Sequence, residues 1–574
     1  MIKKKLPVQL ILLFAILFSF NSLVTSKVAL SSQNKTANKT ANQAAKKASA
    51  IPKLTVLLVV DQFRADYLTR LKGLFGQKGF NRLINQGANF TNAHYAYSNT
   101  YTAVGHTTIV TGSLPSIHGI VANKWFDRKE NRLVRASEDD KTTPLGGKEG
   151  ASPQQLLTTT FGDQLRLSNN YQSKSIGISI KERSAVFIAG RRATGAYWFD
   201  GSQGNMSSSS YFMKELPEWV IKFNKEGFAD EYFQKSWDRK LPIEAYNIAD
   251  KDDASYEGTW KGNTITFPHI IDGNSKEKGP AFYRQFGDTP FSNDMLTKFA
   301  LAAIDNENLG KDEYPDFLAV SFSAPDLIGH MFGPYSHEAQ DIMLRLDDTI
   351  GNFLDQLDKR FGLNNLLIVL TADHGVSPIP EYAQAHNLGG GRIDGLALKA
   401  EMEKLLVKEF GKVGNDKYIL ALINHQFYLN EELIKEKKLS LTQISEFLGQ
   451  EAAKTKGVSA FYTKERILTG RMPDTDISRR IMAGYSNERC GNVFLLVEPF
   501  VLIAEAEDEY VGTSHGTPYH YDTHVPIIMM GSQVKPGVYK EACTPSDIAP
   551  TLANLLSVEA PSGSVGRVLT EALK

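Results

Sequence analysis

Six carboxylate and imidazole side chains have types and positions that could do chemistry: Asp61, Asp326, His330, Asp373, His374 and His515. Asp61 ends a continuous apolar run, where a lone buried carboxylate is costly unless it is paired or bound to metal. Asp326 and His330 are four residues apart, which on a helical turn puts both on one face. Asp373 and His374 are adjacent at the end of another apolar run. Neighbours in an extended chain point apart, so these two suit different functions or different sides of one site. His515 sits in Ser514-His-Gly516, shortly before the last apolar run. Taken singly each has a plainer reading, since an Asp at a strand end is more often a cap or turn former. As a set, carboxylates with imidazoles suit zinc, and two close metal ions suit phosphoryl chemistry.

A nucleophile would complete such a site. The segment from Thr100 to Gly112 holds five threonines and His106. A hydroxyl is a weak nucleophile at its own pKa, and coordination to a metal is one way to activate it. Thr102, ahead of Ala-Val-Gly-His, reads equally as a helix N-cap. The two roles are compatible, because a helix N-terminus also stabilises an arriving anion. Lys181 and Arg183 lie two apart in Ile178-Ser-Ile-Lys-Glu-Arg183. If that strand continues, its period of two puts both on one face; the plainer reading is a charged strand end.

The elements that must position these groups are four buried-type strands. They are Leu54–Val60 before Asp61, Phe317–Phe322 before Ser323-Ala-Pro-Asp326, Asn365–Leu370 before Thr-Ala-Asp-His-Gly375, and Val525–Met530. Helical patterns such as Asp341–Phe361 separate them. Strands alternating with helices predict an α/β fold with a mostly parallel central sheet sandwiched by helices. In such sheets ligands bind beyond the carboxyl ends of the strands. Residues about 200–300 and about 385–505 break this rhythm, the second with helices at Leu396–Glu409 and Leu441–Thr455. Both read as insertions capping the sheet within one catalytic domain over 52–574.

The segment Thr102-x-x-x-His106 followed by Thr111-Gly-Ser-Leu-Pro-Ser-Ile-His-Gly-Ile120 resembles the nucleophile segment of the alkaline phosphatase superfamily. The Pro-Asp-x-x-x-His330 and Thr-Ala-Asp-His-Gly375 motifs and the closing Asp547-Ile-Ala-Pro-Thr-Leu-Ala-Asn-Leu-Leu556 are similar to it as well. The likeness covers 52–135, 315–380 and 510–570 well and the insertions poorly. It is nearest to the branch of nucleotide pyrophosphatase/phosphodiesterases and phosphate-irrepressible alkaline phosphatases. The resemblance implies an alkaline-phosphatase-like fold and two zinc ions per chain. Asp61, Thr102, Asp373 and His374 would hold one ion; Asp326, His330 and a late histidine would hold the other. Ser-His-Gly segments of relatives favour His515 for that last ligand over His520 or His524. The resemblance further makes Thr102 the residue phosphorylated in turnover. It gives Asn123, Lys181 and Arg183 the task of holding non-bridging phosphoryl oxygens, which favours monoesters. A phosphodiesterase of the same superfamily is the rival enzyme, and a secreted non-catalytic metal- or phosphate-binding protein the non-enzyme reading. A sulfatase is excluded: Cys543-Thr-Pro-Ser-Asp547 echoes its Cys-x-Pro-x-Arg motif, but lacks the Arg and lies far from Thr102.

Composition agrees with a small phosphorylated substrate. The 64 basic and 64 acidic residues balance, so nothing offers the basic face that nucleic acid demands. Lys3, Lys4 and Lys5, the apolar run Leu6–Phe20 and Ser22-Leu-Val-Thr-Ser26 spell a secretory signal peptide over 1–26. An exported, periplasmic or secreted protein follows, without stable membrane insertion after cleavage. That cut removes three lysines and no acid, leaving 61 − 64 = −3. Residues 27–51, polar and without apolar periodicity, read as a flexible tether. Cys490 and Cys543 are the only cysteines, and in an oxidising compartment they could form one disulfide. The oligomeric state is not legible.

Overall fold

The computed structural model describes residues 51–260, 264–414, 416–505 and 511–574. The expected signal peptide, and all of the expected tether except Ile51, lie outside these residues. Ten strands form the central sheet: β1 (Leu54–Val60), β2 (Ala88–His94), β3 (Pro144–Leu145), β4 (Ser175–Ser179), β5 (Gly195–Asp200), β6 (Asn205–Ser209), β7 (Asp316–Phe322), β8 (Leu366–Thr371), β9 (His524–Gly531) and β10 (Gly537–Tyr539). Their order across the sheet is β10-β2-β9-β8-β1-β7-β4-β5-β6-β3. The centre is parallel, as the patterning predicts: β1 pairs with β7 and β8, β7 with β4, and β4 with β5, all in parallel. The flanks differ. β9 runs antiparallel to both β8 and β2, and β6 antiparallel to β5 and β3. The sheet is therefore mixed. An apolar run such as Val525–Met530 specifies burial on both faces but not strand direction.

Burial on both faces explains the run of β1. Leu54, Val56, Leu58 and Val60 belong to one core, while Leu57 and Val59 belong to another on the opposite face. Each face is covered by helices. The elements that carry chemistry are α1 (Thr102–Thr111), α2 (Glu182–Ala189) and α3 (Ala324–Phe332); α4 (His337–Phe361) is the long helix read from the apolar spacing. Every residue of α1 is buried, so its polar side chains must find partners inside the protein.

Within 385–505 the chain builds its own four-stranded sheet and its own apolar core, which includes Leu406, Ile444, Leu448 and Leu495. The helices read there appear as Gly395–Phe410 and Leu441–Ala452. Cys490 and Cys543 are both buried and both free, so the disulfide does not form. Burial pushes their thiols up to about 11 and about 12.

Candidate active site

The carboxyl ends of β1, β7 and β8 deliver the carboxylates. Asp61 follows β1, and its backbone N–H donates to the Phe322 carbonyl at 3.0 Å. Asp326 sits in the first turn of α3 after β7, with His330 one turn on. Asp373 and His374 follow β8. Although neighbours in sequence, they serve one site: His374 Nε2 lies 3.3 Å from Asp373 Oδ2 and 3.5 Å from Asp61 Oδ1. On the other side His330 Nε2 is 3.2 Å and His515 Nε2 3.6 Å from Asp326 Oδ1. The rings of His374 and His515 stack with centroids 3.5 Å apart. His524 stands elsewhere, 3.1 Å through Nε2 from the Thr91 carbonyl.

Two donor groups result: Asp61 with Asp373 and His374, and Asp326 with His374 and His515. Their chemistry fits cations. His330, His374 and His515 each direct Nδ1 at a backbone carbonyl, of Thr513 (2.8 Å), Gly375 (2.9 Å) and Thr100 (2.6 Å). A carbonyl only accepts, so Nδ1 carries the proton, and in the neutral rings Nε2 keeps its lone pair. Burial holds His374 and His515 below the ordinary histidine range. Their lone pairs therefore face carboxylate oxygens across 3.3 to 3.6 Å, acceptor against acceptor. Asp61 Oδ1 and Asp373 Oδ2 are buried and accept no hydrogen bond among the described residues. Buried acceptors left facing one another in this way suit a divalent ion with nitrogen and oxygen ligands.

The acids are not equivalent. Burial raises Asp61 well above the ordinary range, reinforced by Asp326 and Asp373 and opposed by Lys181. Burial would raise Asp326 and Asp373 too. For Asp326, His330 and Lys181 overrule it; for Asp373, His374 and His106 do.

Thr102 is the hydroxyl turned toward this centre, with Oγ1 3.4 Å from His374 Nε2. The other four threonines of the segment are engaged elsewhere. Thr107 and Thr111 donate to the carbonyls of Ala103 and Thr107 one turn back, and Thr100 donates to the Thr517 carbonyl. Thr108 lies 3.2 Å from His118 Nε2. Thr102 is the first residue of α1, and the N-cap is Tyr101 rather than Thr102. Asn123 Oδ1 accepts from the Ala103 N–H at 2.9 Å, which ties that side chain to the start of α1.

Lys181 and Arg183 depart from the expected strand. β4 ends at Ser179, Lys181 is the N-cap of α2 and Arg183 is in its first turn. Lys181 Nζ bridges the two donor groups, 2.7 Å from Asp61 Oδ2 and in contact with Asp326 Oδ2. Burial alone would lower this lysine; Asp326 and Asp61 hold it above its ordinary value. Among the described residues Arg183 keeps only a 4.0 Å approach to Glu182, and its Nε is buried without a hydrogen bond.

Two further residues belong to the site and were not read from the sequence. Gln62 has φ +67; its N–H donates to Asp373 Oδ1 at 3.0 Å and its Nε2 to Asp326 Oδ1 at 2.7 Å. The strained backbone lets one residue clamp both acids, and an Asp-Gln dipeptide gives no signal of it. His106 lies with Nδ1 3.3 Å from Asp373 Oδ2 and Nε2 2.7 Å from Ser321 Oγ. Its spacing from Thr102 was visible, its contact with Asp373 was not. A cleft of about 510 Å³ opens above, lined by Tyr101, Asn123, His330 and His515 with Leu327 and Met331. Gly258 and Thr259 close it from the 200–300 segment, and His425, in a turn between two strands, and Leu502, within a strand, close it from 385–505.

The model of the type I phosphodiesterase / nucleotide pyrophosphatase family matches residues 55–519. Alkaline phosphatase PafA of Elizabethkingia meningoseptica is 36% identical over 92% of this chain and 96% of its own. Alkaline phosphatase PhoV of Synechococcus elongatus is 38% identical over 92% and 94%. A Myroides odoratus protein named calcium-transporting ATPase is 38% identical over 91% and 95%. A crystal structure of wild-type PafA superposes with a TM-score of 0.85 at 36% identity, covering 91% of this chain and 99% of that one. With that fold and these motifs, the chain belongs to the type I phosphodiesterase / nucleotide pyrophosphatase family, on the branch that includes the alkaline phosphatases PafA and PhoV.

Proposed function

We propose that the chain is an exported phosphate-monoester hydrolase that works through two zinc ions and a phosphothreonine on Thr102. The observation that carries the reading is Thr102 Oγ1, 3.4 Å from His374 Nε2, at the start of a buried helix and beside two carboxylate–imidazole groups. Asp61, Asp373 and His374 would hold one ion with Thr102; Asp326, His330 and His515 would hold the other. Bound there, the ions would lower the pKa of the hydroxyl and stabilise the departing alkoxide.

The chain's own groups account for the rest. Thr102 Oγ forms a bond to phosphorus as the ester P–O bond breaks, and water later cleaves the threonyl ester to release phosphate. The start of α1 presents backbone N–H groups to the anion. With its carbonyl oxygen held by Ala103 N–H, the Asn123 amide is left with its NH₂ to donate to a phosphoryl oxygen. Lys181 and Arg183 supply positive charge for the equatorial oxygens, where charge stabilisation is the main catalytic task. Substrates would be small phosphorylated molecules that enter through the cleft. Among the described residues no helix is long and apolar enough to cross a membrane.

The test is a side-by-side assay of p-nitrophenyl phosphate, bis-p-nitrophenyl phosphate and p-nitrophenyl sulfate, with zinc measured on the same preparation. Fastest turnover of the monoester with two zinc ions per chain supports the reading. Faster diester turnover would make the chain a phosphodiesterase instead.

A further inference from the structure

Three histidines outside the cleft meet at the surface edge of the sheet. His94 ends β2 and His524 begins β9, and the antiparallel register places them directly opposite one another. His520 opens the short helix α5 (His520–Thr523), one turn before His524, so the four-residue spacing brings it to the same face. Ring centroids are 4.4 Å apart for His94 and His524, 4.9 Å for His94 and His520, and 4.6 Å for His520 and His524. His520 is exposed and the other two are half-buried, so solvent reaches the cluster.

We propose that His94, His520 and His524 form a surface binding site for a divalent late transition metal ion, zinc first, separate from the buried donor groups around Asp61 and Asp326. One potential ligand atom from each of the three lies within 4.8 Å of the others. Zinc–nitrogen bonds of about 2.0–2.1 Å in a tetrahedron need nitrogens roughly 3.3 Å apart, so small ring rotations close the site. Water would take the fourth position.

Tautomers favour it. His524 Nε2 faces the Thr91 carbonyl at 3.1 Å, so it carries the proton and leaves Nδ1 with its lone pair. That is the second-shell arrangement typical of a ligating histidine. His94 Nδ1 lies 3.4 Å from Thr523 Oγ1, which also accepts from Arg480 Nη1 at 3.0 Å. Charge does not forbid it either, because the neighbouring cations are paired: Arg480 with Asp476 and Arg64 with Asp66, both at 2.9 Å. Burial, then His524 and His520, push His94 down to about 4. A cluster of imidazoles that resist protonation together is one that keeps its lone pairs at neutral pH. Imidazole donors select zinc, copper and nickel over magnesium and calcium.

An ion here would brace the segment that joins His515 to β9. The Thr523 carbonyl accepts from the Tyr95 N–H, the Tyr95 hydroxyl donates to the Ala372 carbonyl beside Asp373, and the Asp522 carbonyl accepts from the Gly375 N–H. The site thus acts as a structural clasp rather than a second catalytic centre.

Equilibrium dialysis of the zinc-loaded wild-type chain against graded Zn²⁺, beside His520→Ala and His94→Ala, tests this. The wild type should take up one ion more than either variant, or hold that ion about tenfold more tightly or better, the loss that follows removal of even an outer-shell partner. Added zinc should raise the wild-type melting temperature, and that of His520→Ala less. Turnover of p-nitrophenyl phosphate by His520→Ala should be unchanged. Equal zinc uptake and equal thermal shift in wild type and His520→Ala would overturn the proposal. His520 is exposed, so its replacement leaves the fold intact even if His94→Ala does not fold. The comparison reads the surface ion alone, whatever the buried groups bind.

Discussion

Gly105 is the position where one added methyl group should separate chemistry from stability. It lies inside α1, one turn from Thr102, and the helix packs there directly on the Asp373 backbone. A Cβ at 105 would overlap the Asp373 carbonyl oxygen and lie 2.6 Å from its carbonyl carbon and 2.7 Å from its Cα. Ordinary contact begins at 3.4 Å, so the Cα separation is short by about 0.7 Å and the oxygen by more. In Gly105→Ala, α1 must therefore retreat by about 1 Å from the strand end that carries Asp373 and His374. Helix propensity pulls the other way by about 1 kcal/mol in favour of Ala. Overpacking of a buried interface costs typically 1–3 kcal/mol, so net stability should fall only slightly. Rate should fall much further, because a misplacement of about 1 Å costs on the order of 100-fold, or roughly 2.7 kcal/mol of barrier. The assay is kcat on p-nitrophenyl phosphate at saturating zinc, with thermal melting as the stability readout. Gly73→Ala, where nothing lies within 4 Å of the added Cβ, is the neutral control. A Gly105→Ala enzyme with wild-type kcat would refute the claim that this contact sets the distance from Thr102 to His374.

The remaining expectations are simpler. Thr102→Ala should lose activity by at least about 10³-fold while keeping its zinc, measured by turnover and metal analysis; substantial activity would remove Thr102 as nucleophile. Lys181→Ala with Arg183→Ala should cost monoester turnover at least about a hundredfold, from two charge-assisted hydrogen bonds of roughly 1.5–3 kcal/mol each, and cost diester turnover less. Equal loss on both substrates would mean that the pair serves the fold or the metal groups. Exhaustive chelation should abolish turnover and zinc should restore it; a chelated enzyme that keeps its rate contradicts the two-ion scheme. Burial, then the nearby Glu338 and Asp252, push the Glu257 carboxyl up to about 10. The unfolded chain therefore releases this proton between about pH 4.5 and 10 while the folded chain retains it, so stability is lost as pH rises through that window. Glu257→Gln should accordingly raise the melting temperature at pH 8 and leave it unchanged at pH 4, and an equal shift at both would rule this out.

The metal-type residues were legible because their chemistry conflicts with their surroundings: Asp61, Asp326 and Asp373 each follow a strand buried on both faces. The direction of β9 was not legible, since burial on two faces makes the same apolar run in either sense. Lys181 and Arg183 were misplaced because periodicity cannot say where a strand stops. β4 ends at Ser179, and the turn into α2 redirects Lys181 onto two carboxylates. Gln62 was invisible for a different reason: its role depends on a positive φ that a sequence does not announce. His515 could be preferred to His524 through the likeness to relatives and because His524 immediately precedes the apolar run Val525–Met530. The structure accounts for their separation locally, since α5 turns the chain between them and sends His524 to the sheet edge.

Lys181 also bears on why a monoester would be the better substrate. Ionised to hold metal, Asp61, Asp326 and Asp373 would contribute three negative charges in a buried site, and Lys181 returns one positive charge while bridging the first two. With His330, His374 and His515 neutral, as metal ligation requires, the sum is −3 + 1 = −2, a charge the interior does not hold without cations. Two divalent ions would bring the sum to +2, which would match the dianion of a phosphate monoester and exceed the single charge of a diester. The pairing that departs from the sequence expectation thus supports the same selectivity by another route. Besides its place at the phosphoryl oxygens, Lys181 would set the charge of the whole centre, whereas Arg183, whose Nε is buried without a partner among the described residues, would act on the phosphoryl oxygens alone. On that division Lys181→Ala should disturb zinc retention as well as rate, whereas Arg183→Ala should lower monoester turnover with zinc content unchanged. If Lys181→Ala left zinc retention intact and Arg183→Ala did not, the roles would be reversed.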